Sequence, residues 1–298
     1  MFNSFSYTSA PNTNDLLYLP LSSSFLAESP PWIIVSGSAN SSTSQGPALS
    51  WSTLSAYTTS DILLFGGEPG PNSDIVIVDA ADSAVLLDVF SRLQPNWTVE
   101  PPSWVGEPIR RIRHATVTSP SGLVFIFGGE KADGSKNGFS DHFLFDPNAP
   151  SFALLPSNNA PPDIYGHAAI ILSDGRILVF GGFSQSRGGL IPFSTIWVLD
   201  TKSLSWAVIS TDTSSLPDPR MAFVAVLIPG GKILIHGGSD ANLLSNFADG
   251  WVLDTTTNPM TWTPVVALSQ LGARRDHFAV SSANMVIFGF GVYLPAHL

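Results

Sequence analysis

The stretch HAAIILSDGRILVFGG, His167 to Gly182, decides the fold. Two apolar arms flank Asp174-Gly175, a pair that favours the positive φ of a tight turn, so the arms read as adjacent antiparallel strands. A glycine pair follows at once. Beyond a polar loop comes a third apolar run, IWVLD, ending at Asp200, and Trp206 then marks a fourth strand. Four antiparallel strands in ~55 residues make the unit of a propeller blade.

The unit recurs. Glycine pairs close apolar runs at Gly66-Gly67, Gly128-Gly129, Gly181-Gly182 and Gly237-Gly238, with a degenerate copy at Gly289 and Gly291. The first glycines are 62, 53, 56 and 52 residues apart, near the ~50 of kelch repeats and above the ~40–45 of WD40 repeats. Hairpins precede them at HATVTSPSGLVFIF, FVAVLIPGGKILIH and HFAVSSANMVIF. Third strands are expected at IVIVD (Asp79), HFLFD (Asp146) and GWVLD (Asp254), and fourth strands at Trp97, Phe152 and Trp262. An Asp closing strand three can accept from the N–H two residues on and start a turn. The aromatics are expected to fill the gaps between radially packed sheets.

The glycine pair after strand two, the Asp closing strand three, the aromatic six to eight residues later and the Arg/His before strand one resemble the kelch repeat. The whole chain is similar to a kelch propeller of the fungal, galactose-oxidase-like type. The resemblance implies an all-β, kelch-type β-propeller of four-stranded antiparallel blades, with strand one innermost. It is specific for fold and silent on function, because such propellers host enzymes, adaptors and surface proteins.

The chain starts in mid-unit. Asp15–Leu21 reads as strand three and Pro31–Val35 as strand four, while His277 to Phe290 supplies strands one and two. Joining these halves gives four contiguous blades and one composite blade, about five in all, and closure removes exposed edges. The alternative is a six-bladed propeller shortened at both ends, with a secretion signal on the longer chain. Either way residues 1–298 form a single propeller, with 1–14 a loop or disordered start and 292–298 a short tail.

Of 298 residues, 44% are hydrophobic and 12% charged, and the net charge is −10. That balance supplies a core and argues against nucleic acid or anionic membrane as partner, since both need clustered positive charge. No apolar run approaches a membrane span, so no direct membrane insertion is expected. Cysteine is absent, which excludes disulfides, thiolate metal sites and the Cys-Tyr copper-radical cofactor that the galactose-oxidase resemblance brings up. No cofactor and no metal are expected. Asn40 and Asn96 head N-x-S/T sequons, candidate glycosylation sites in a secreted chain. The compartment stays open: extracellular or cell surface for a longer native chain, cytoplasmic if the chain is complete as given.

Candidate binding residues cluster before strand one. The units read RRIRHA, DIYGHA, DPRMAF and RRDHFA, and place Arg110, Arg111, Arg113, Arg220, Arg274 and Arg275 in strand-four-to-strand-one connections. Those connections share one face, so an acidic protein gathers guanidinium forks around one channel mouth, suited to carboxylates of a peptide or acidic glycan. His114, His167 and His277 are equivalent by register, and Tyr165 adjoins the second. Sheet spacings of ~10 Å keep such histidines from converging on a metal; bonds to neighbouring backbone or Asp groups are the plainer reading. The loop carboxylates Asp133, Asp141, Asp163 and Asp240 have no spacing that pairs them as acid and base. The expectation is a monomeric, non-catalytic binding module for a protein or acidic carbohydrate ligand, with the loop Gly129–Asp141 as a second surface and a carbohydrate-active enzyme as the alternative.

Overall fold

Where the hairpins reverse, glycines hold the left-handed backbone: Gly122 at φ 86°, Gly175 at 92°, Gly230 at 83°. The computed structural model describes residues 14–35, 46–69, 84–91, 94–99, 104–282 and 285–293. Four sheets of four antiparallel strands are present, each ordered as in the chain. They comprise Thr53–Ala56, Asp61–Phe65, Ala84–Asp88 and Asn96–Val99; Ala115–Thr118, Val124–Phe127, His142–Asp146 and Ser151–Leu154; Ala168–Ile171, Arg176–Phe180, Thr195–Asp200 and Ser205–Ser210; Val224–Ile228, Lys232–His236, Gly250–Asp254 and Thr261–Pro264. A fifth repeat contributes the hairpin Phe278–Ser282 and Met285–Gly289. The molecule is an all-β propeller of antiparallel blades.

Third strands end as expected, with Asp146, Asp200 and Asp254 accepting from the N–H of Asn148 (2.9 Å), Lys202 (2.9 Å) and Thr256 (3.0 Å). The first repeat differs. Its third strand is AVLLD, Ala84–Asp88, with Leu63 opposite Leu86; the IVIVD segment lies outside the described residues. AVLLD carries the same apolar run closed by Asp, buries Ala84, Val85 and Leu87, and turns through the Asp88 bond to the Phe90 N–H at 2.7 Å.

The core lies between blades. Phe125, Phe127, Ile164, Val179, Trp197 and Trp206 fill the gap between the second and third sheets. Phe180, Phe193, Phe223, Ile235 and Trp262 fill the next. Phe152, Trp206 and Trp262 are all buried, at about 2–3 kcal/mol for each such side chain taken from water.

The glycine pairs stitch blade to blade. The second glycine's N–H donates to the next repeat's rim carbonyl: Gly67 to Arg111 (2.9 Å), Gly129 to Ile164 (2.8 Å), Gly182 to Arg220 (2.9 Å) and Gly238 to Arg274 (2.9 Å). A Cβ on Gly66, Gly128 or Gly237 would strike that same carbonyl. In the degenerate copy, Phe290 (φ 56°) takes the first-glycine conformation and Gly291 (φ 90°) the second.

The N-terminal segment pairs within itself. Leu17–Tyr18 and Ile33–Ile34, inside the stretches read as strands three and four, form a two-residue ladder. Among the described residues no ladder joins them to Met285–Gly289. Pro20, Pro30 and Pro31 bound these strands and remove donors that a longer ladder needs. The two halves of the expected composite blade instead face each other across an apolar cleft of about 920 Å³, lined by Leu19, Phe25 and Trp32 on one side and Val286 to Phe290 on the other.

Candidate functional site

Just before each inner strand the chain passes the channel axis through four register positions. The third is Trp51, Arg113, Gly166, Ala222 and Asp276 in successive repeats, and each has positive φ, between 50° and 62°. The conformation serves a relay of backbone bonds around the axis: Arg113 donates to Trp51 (3.3 Å), Gly166 to Arg113 (2.8 Å), Ala222 to Gly166 (2.8 Å) and Asp276 to Ala222 (3.0 Å). For residues as bulky as Trp51 and Arg113 this backbone is strained. These five residues, with Ser52, His114, His167, Phe223 and His277 at the fourth position, line a cavity of about 320 Å³.

One arc of the mouth is charged and the other nearly bare. The Arg113 guanidinium lies 4.7 Å from the Trp51 ring centre and bonds Glu130 at 3.4 Å. On the other side, the Trp51 side chain donates to the Asp276 carboxylate, which also lies 3.5 Å from Arg275. Burial pushes the Asp276 carboxyl up, while Arg113, Arg275 and the Trp51 bond pull it back. Burial likewise raises Glu130, against the charges of Arg113 and Lys136. Gly166 and Ala222 leave the opposite arc open.

The fourth-position rings are interblade plates. His114 packs on Gly66, His167 on Gly128, Phe223 on Gly181 and His277 on Gly237, each a glycine of the preceding repeat. His114 Nε2 bonds Thr53 (2.8 Å) and His277 Nε2 bonds His236 Nδ1 (3.1 Å), while neither nitrogen of buried His167 has a hydrogen-bond partner in the protein. Burial holds all three to about 3, so they are neutral at pH 7. Among the described residues, no group of three His, Asp or Glu side chains gathers at metal-binding distance.

The six arginines do not share one role. Arg111 is fully buried, bonding Asp141 (2.8 Å) and the Gly128 carbonyl (2.9 Å) with Phe139 under its guanidinium. Arg220, equally buried, forks onto Asp249 (2.5 and 3.0 Å) over Phe247. Arg110 is buried outside the cavity lining, and Arg274 donates to the Leu271 carbonyl. Arg275 donates to Asn246 at 3.0 Å. Tyr165 is buried against Phe183, its hydroxyl raised to about 12 by burial. Of these expected binding residues, Arg113, His114, His167 and His277 reach the cavity wall. Replacing Arg220 with Met strips Asp249 of its ion-pair partner, leaving it the Trp251 indole N–H alone, and strips the Gly237 carbonyl of its guanidinium donor. It is expected to cost about 3 kcal/mol in urea unfolding; an unchanged midpoint would refute this structural role.

The loop Gly129–Asp141 is on the same face as the arginine connections, because Glu130–Lys131 pairs with Arg111–Ile112. In an antiparallel blade, the two-to-three and four-to-one connections leave the same end. The loop carboxylates are each engaged: Asp133 with the Ser135 N–H, Asp141 with Arg111, Asp163 with Ser184 and Asp240 with the Leu244 N–H. Asn96 is exposed on an outer strand, and Asn40 lies outside the described residues.

Sequence reasoning missed Trp51, Glu130 and Asp276. Trp51 was legible in principle: it stands 15 residues before Gly66, as do Arg113 before Gly128, Gly166 before Gly181 and Ala222 before Gly237. The first repeat has no Arg or His in its WSTL segment to draw attention to that spacing.

Comparison with known proteins agrees with this architecture. The chain is 28% identical over 293 residues to Adagio-like protein 1 of Oryza sativa subsp. japonica, covering 93% of this chain and 42% of that protein. It is 31% identical over 128 residues to the F-box/kelch-repeat protein At1g51550 of Arabidopsis thaliana, 40% of this chain and 26% of that one. The chain thus spans about two fifths or less of these curated relatives. The solved structure of YjhT superposes with a TM-score of 0.61 at 16% identity, covering 82% of this chain and 72% of YjhT. Residues 51–291 match the model of the KLHDC2/KLHL20/DRC7 Kelch-repeats domain, and the chain belongs to that kelch-repeat family.

Proposed function

We propose that the chain is a non-catalytic recognition module that binds a protein ligand on the face carrying the channel mouth, with a ligand carboxylate meeting Arg113. Kelch-repeat domains generally act as protein-interaction modules. The observation that carries the reading is the stacked Trp51–Arg113 pair at the cavity wall, held by strained backbone and ringed by short rim strands. A planar cation on an aromatic plate is preorganised for a carboxylate, and Trp and Arg dominate interface hot spots. Short rim ladders, Arg111–Ile112 with Glu130–Lys131 and Ile164–Tyr165 with Phe183–Ser184, support the loops around the mouth.

An array of acidic and neutral peptides tests this. Arg113→Asn keeps a residue tolerant of the left-handed backbone, and is expected to weaken the acidic binders at least tenfold. Because Glu130 loses its ion-pair partner the melting temperature falls as well, so binding is compared at a temperature where circular dichroism shows both chains folded. Undiminished binding by that variant, or turnover of glycan substrates by the native chain, would overturn the reading.

A further inference from the structure

We infer that Asp276 is a built-in competitor for the cations of the channel mouth, setting how strong an acidic ligand must be to enter. The inference rests on the proposed carboxylate recognition by Arg113. Three facts place Asp276 in that role. It occupies the same register position as Arg113, so its side chain stands on the cavity wall. Its carboxylate lies 3.5 Å from Arg275 and accepts from Trp51, the residue whose ring carries Arg113. Its backbone N–H is tied to the Ala222 carbonyl at 3.0 Å, so the main chain that carries the carboxylate is fixed at the mouth.

The charge balance of the mouth follows. Facing Asp276 are Arg113 and Arg275, with Trp51 as neutral donor; Glu130 stands behind Arg113, and the lining histidines are uncharged. Two arginines therefore face two internal carboxyl groups, both of which burial pushes up, with Lys136 and Glu68 acting on Glu130 as well. Glu130 is outside the cavity lining, whereas Asp276 is within it. An incoming carboxylate must share or take the place of Asp276, and it meets a like charge while that group is ionised. Burial opposes that ionised form, and a ligand that supplies its own carboxylate would find the site poised for exchange.

The test uses the full chain and a fluorescein-labelled hexa-aspartate peptide, with hexa-asparagine as the uncharged control, in fluorescence anisotropy at pH 7.5. Asp276→Asn suits the φ of 50° at this position. It is expected to bind hexa-aspartate about tenfold more tightly than the native chain, a gain of about 1.4 kcal/mol, with no gain for hexa-asparagine. A structural role alone would lower the melting temperature without raising affinity. If the native chain binds and Arg113→Asn does not, but Asp276→Asn shows no gain, Asp276 is no competitor and the carboxylate reading survives. If neither the native chain nor Asp276→Asn binds hexa-aspartate, both fail together.

Discussion

Gly128→Ala is expected to lower the melting temperature by about 10 °C. The site has φ 51°, and its new Cβ would meet the Ile164 carbonyl of the next blade with the Ile164 side chain at 3.0 Å and the His167 ring at 3.3 Å. The left-handed conformation costs ~1–2 kcal/mol for a residue with a Cβ. The clash adds the loss of the Gly129–Ile164 hydrogen bond and of packing between the second and third blades, about 2 kcal/mol more. A total of about 3–4 kcal/mol corresponds to the stated shift at ~2–4 °C per kcal/mol in a chain of this size. Calorimetry decides it. The control is Gly134→Ala: φ is also positive there, but nothing lies within 4 Å of the added Cβ, so only the backbone cost applies. Equal losses for both variants would mean that the interblade stitch contributes nothing.

The second large effect is acid sensitivity between pH 7 and 5.5, arising from buried histidines. His114, His167 and His277 are held to about 3 and His142 to about 4, all chiefly by burial, against 6.5 in an unfolded chain. Below pH 6.5 the unfolded state binds these protons and the folded state does not, so acid favours unfolding. The stability they protect is complete above 6.5 and is lost as pH falls toward 3. From pH 7 to 5.5 each group contributes a loss of about 1.2 kcal/mol, roughly 5 together as an upper figure. A fall in melting temperature of about 10 °C across that interval is expected. The sequence contains its own remedy, for Phe223 already occupies the fourth register position in the fourth repeat. His167→Phe should keep the plate against Gly128 and reduce the acid loss by about 1 kcal/mol. A melting temperature flat from pH 7 to 5.5 in the native chain would show that these rings protonate in place.

The apolar cleft beside Met285–Gly289 affects stability differently. Phe290 and Met285 are well exposed there, and Trp32 reaches Phe290 at 5.6 Å between ring centres. The contact holds the N-terminal segment near the last repeat through side chains rather than a ladder.

Much of the fold was legible because it is periodic. Apolar alternation, turn glycines and the Asp after strand three are local signals, and each states its strand without reference to neighbours. In the first repeat the pattern pointed to IVIVD as the third strand, because an apolar run closed by Asp is all that a local signal can read. The pairing of Asp61–Phe65 with Ala84–Asp88 makes AVLLD the third strand instead.

The site was legible only in part. Register alone named His114, His167 and His277 as equivalent, and it placed Arg113 beside them. It could not separate Arg113 from Arg111, two residues away: one rests on Trp51 at the cavity wall, while the other turns inward to Asp141. That difference depends on Asp141, 30 residues beyond Arg111, and on Trp51, 62 before Arg113. The sequence by itself determined the repeat, the antiparallel blade, the kelch relationship and the exclusion of cysteine chemistry, because these depend on composition and short-range spacing. The tertiary structure alone decided which arginines are buried, that Trp51 bonds Asp276 at the channel mouth and that the histidines are plates against glycines, because the packing of successive blades about one axis brings together residues distant in the chain.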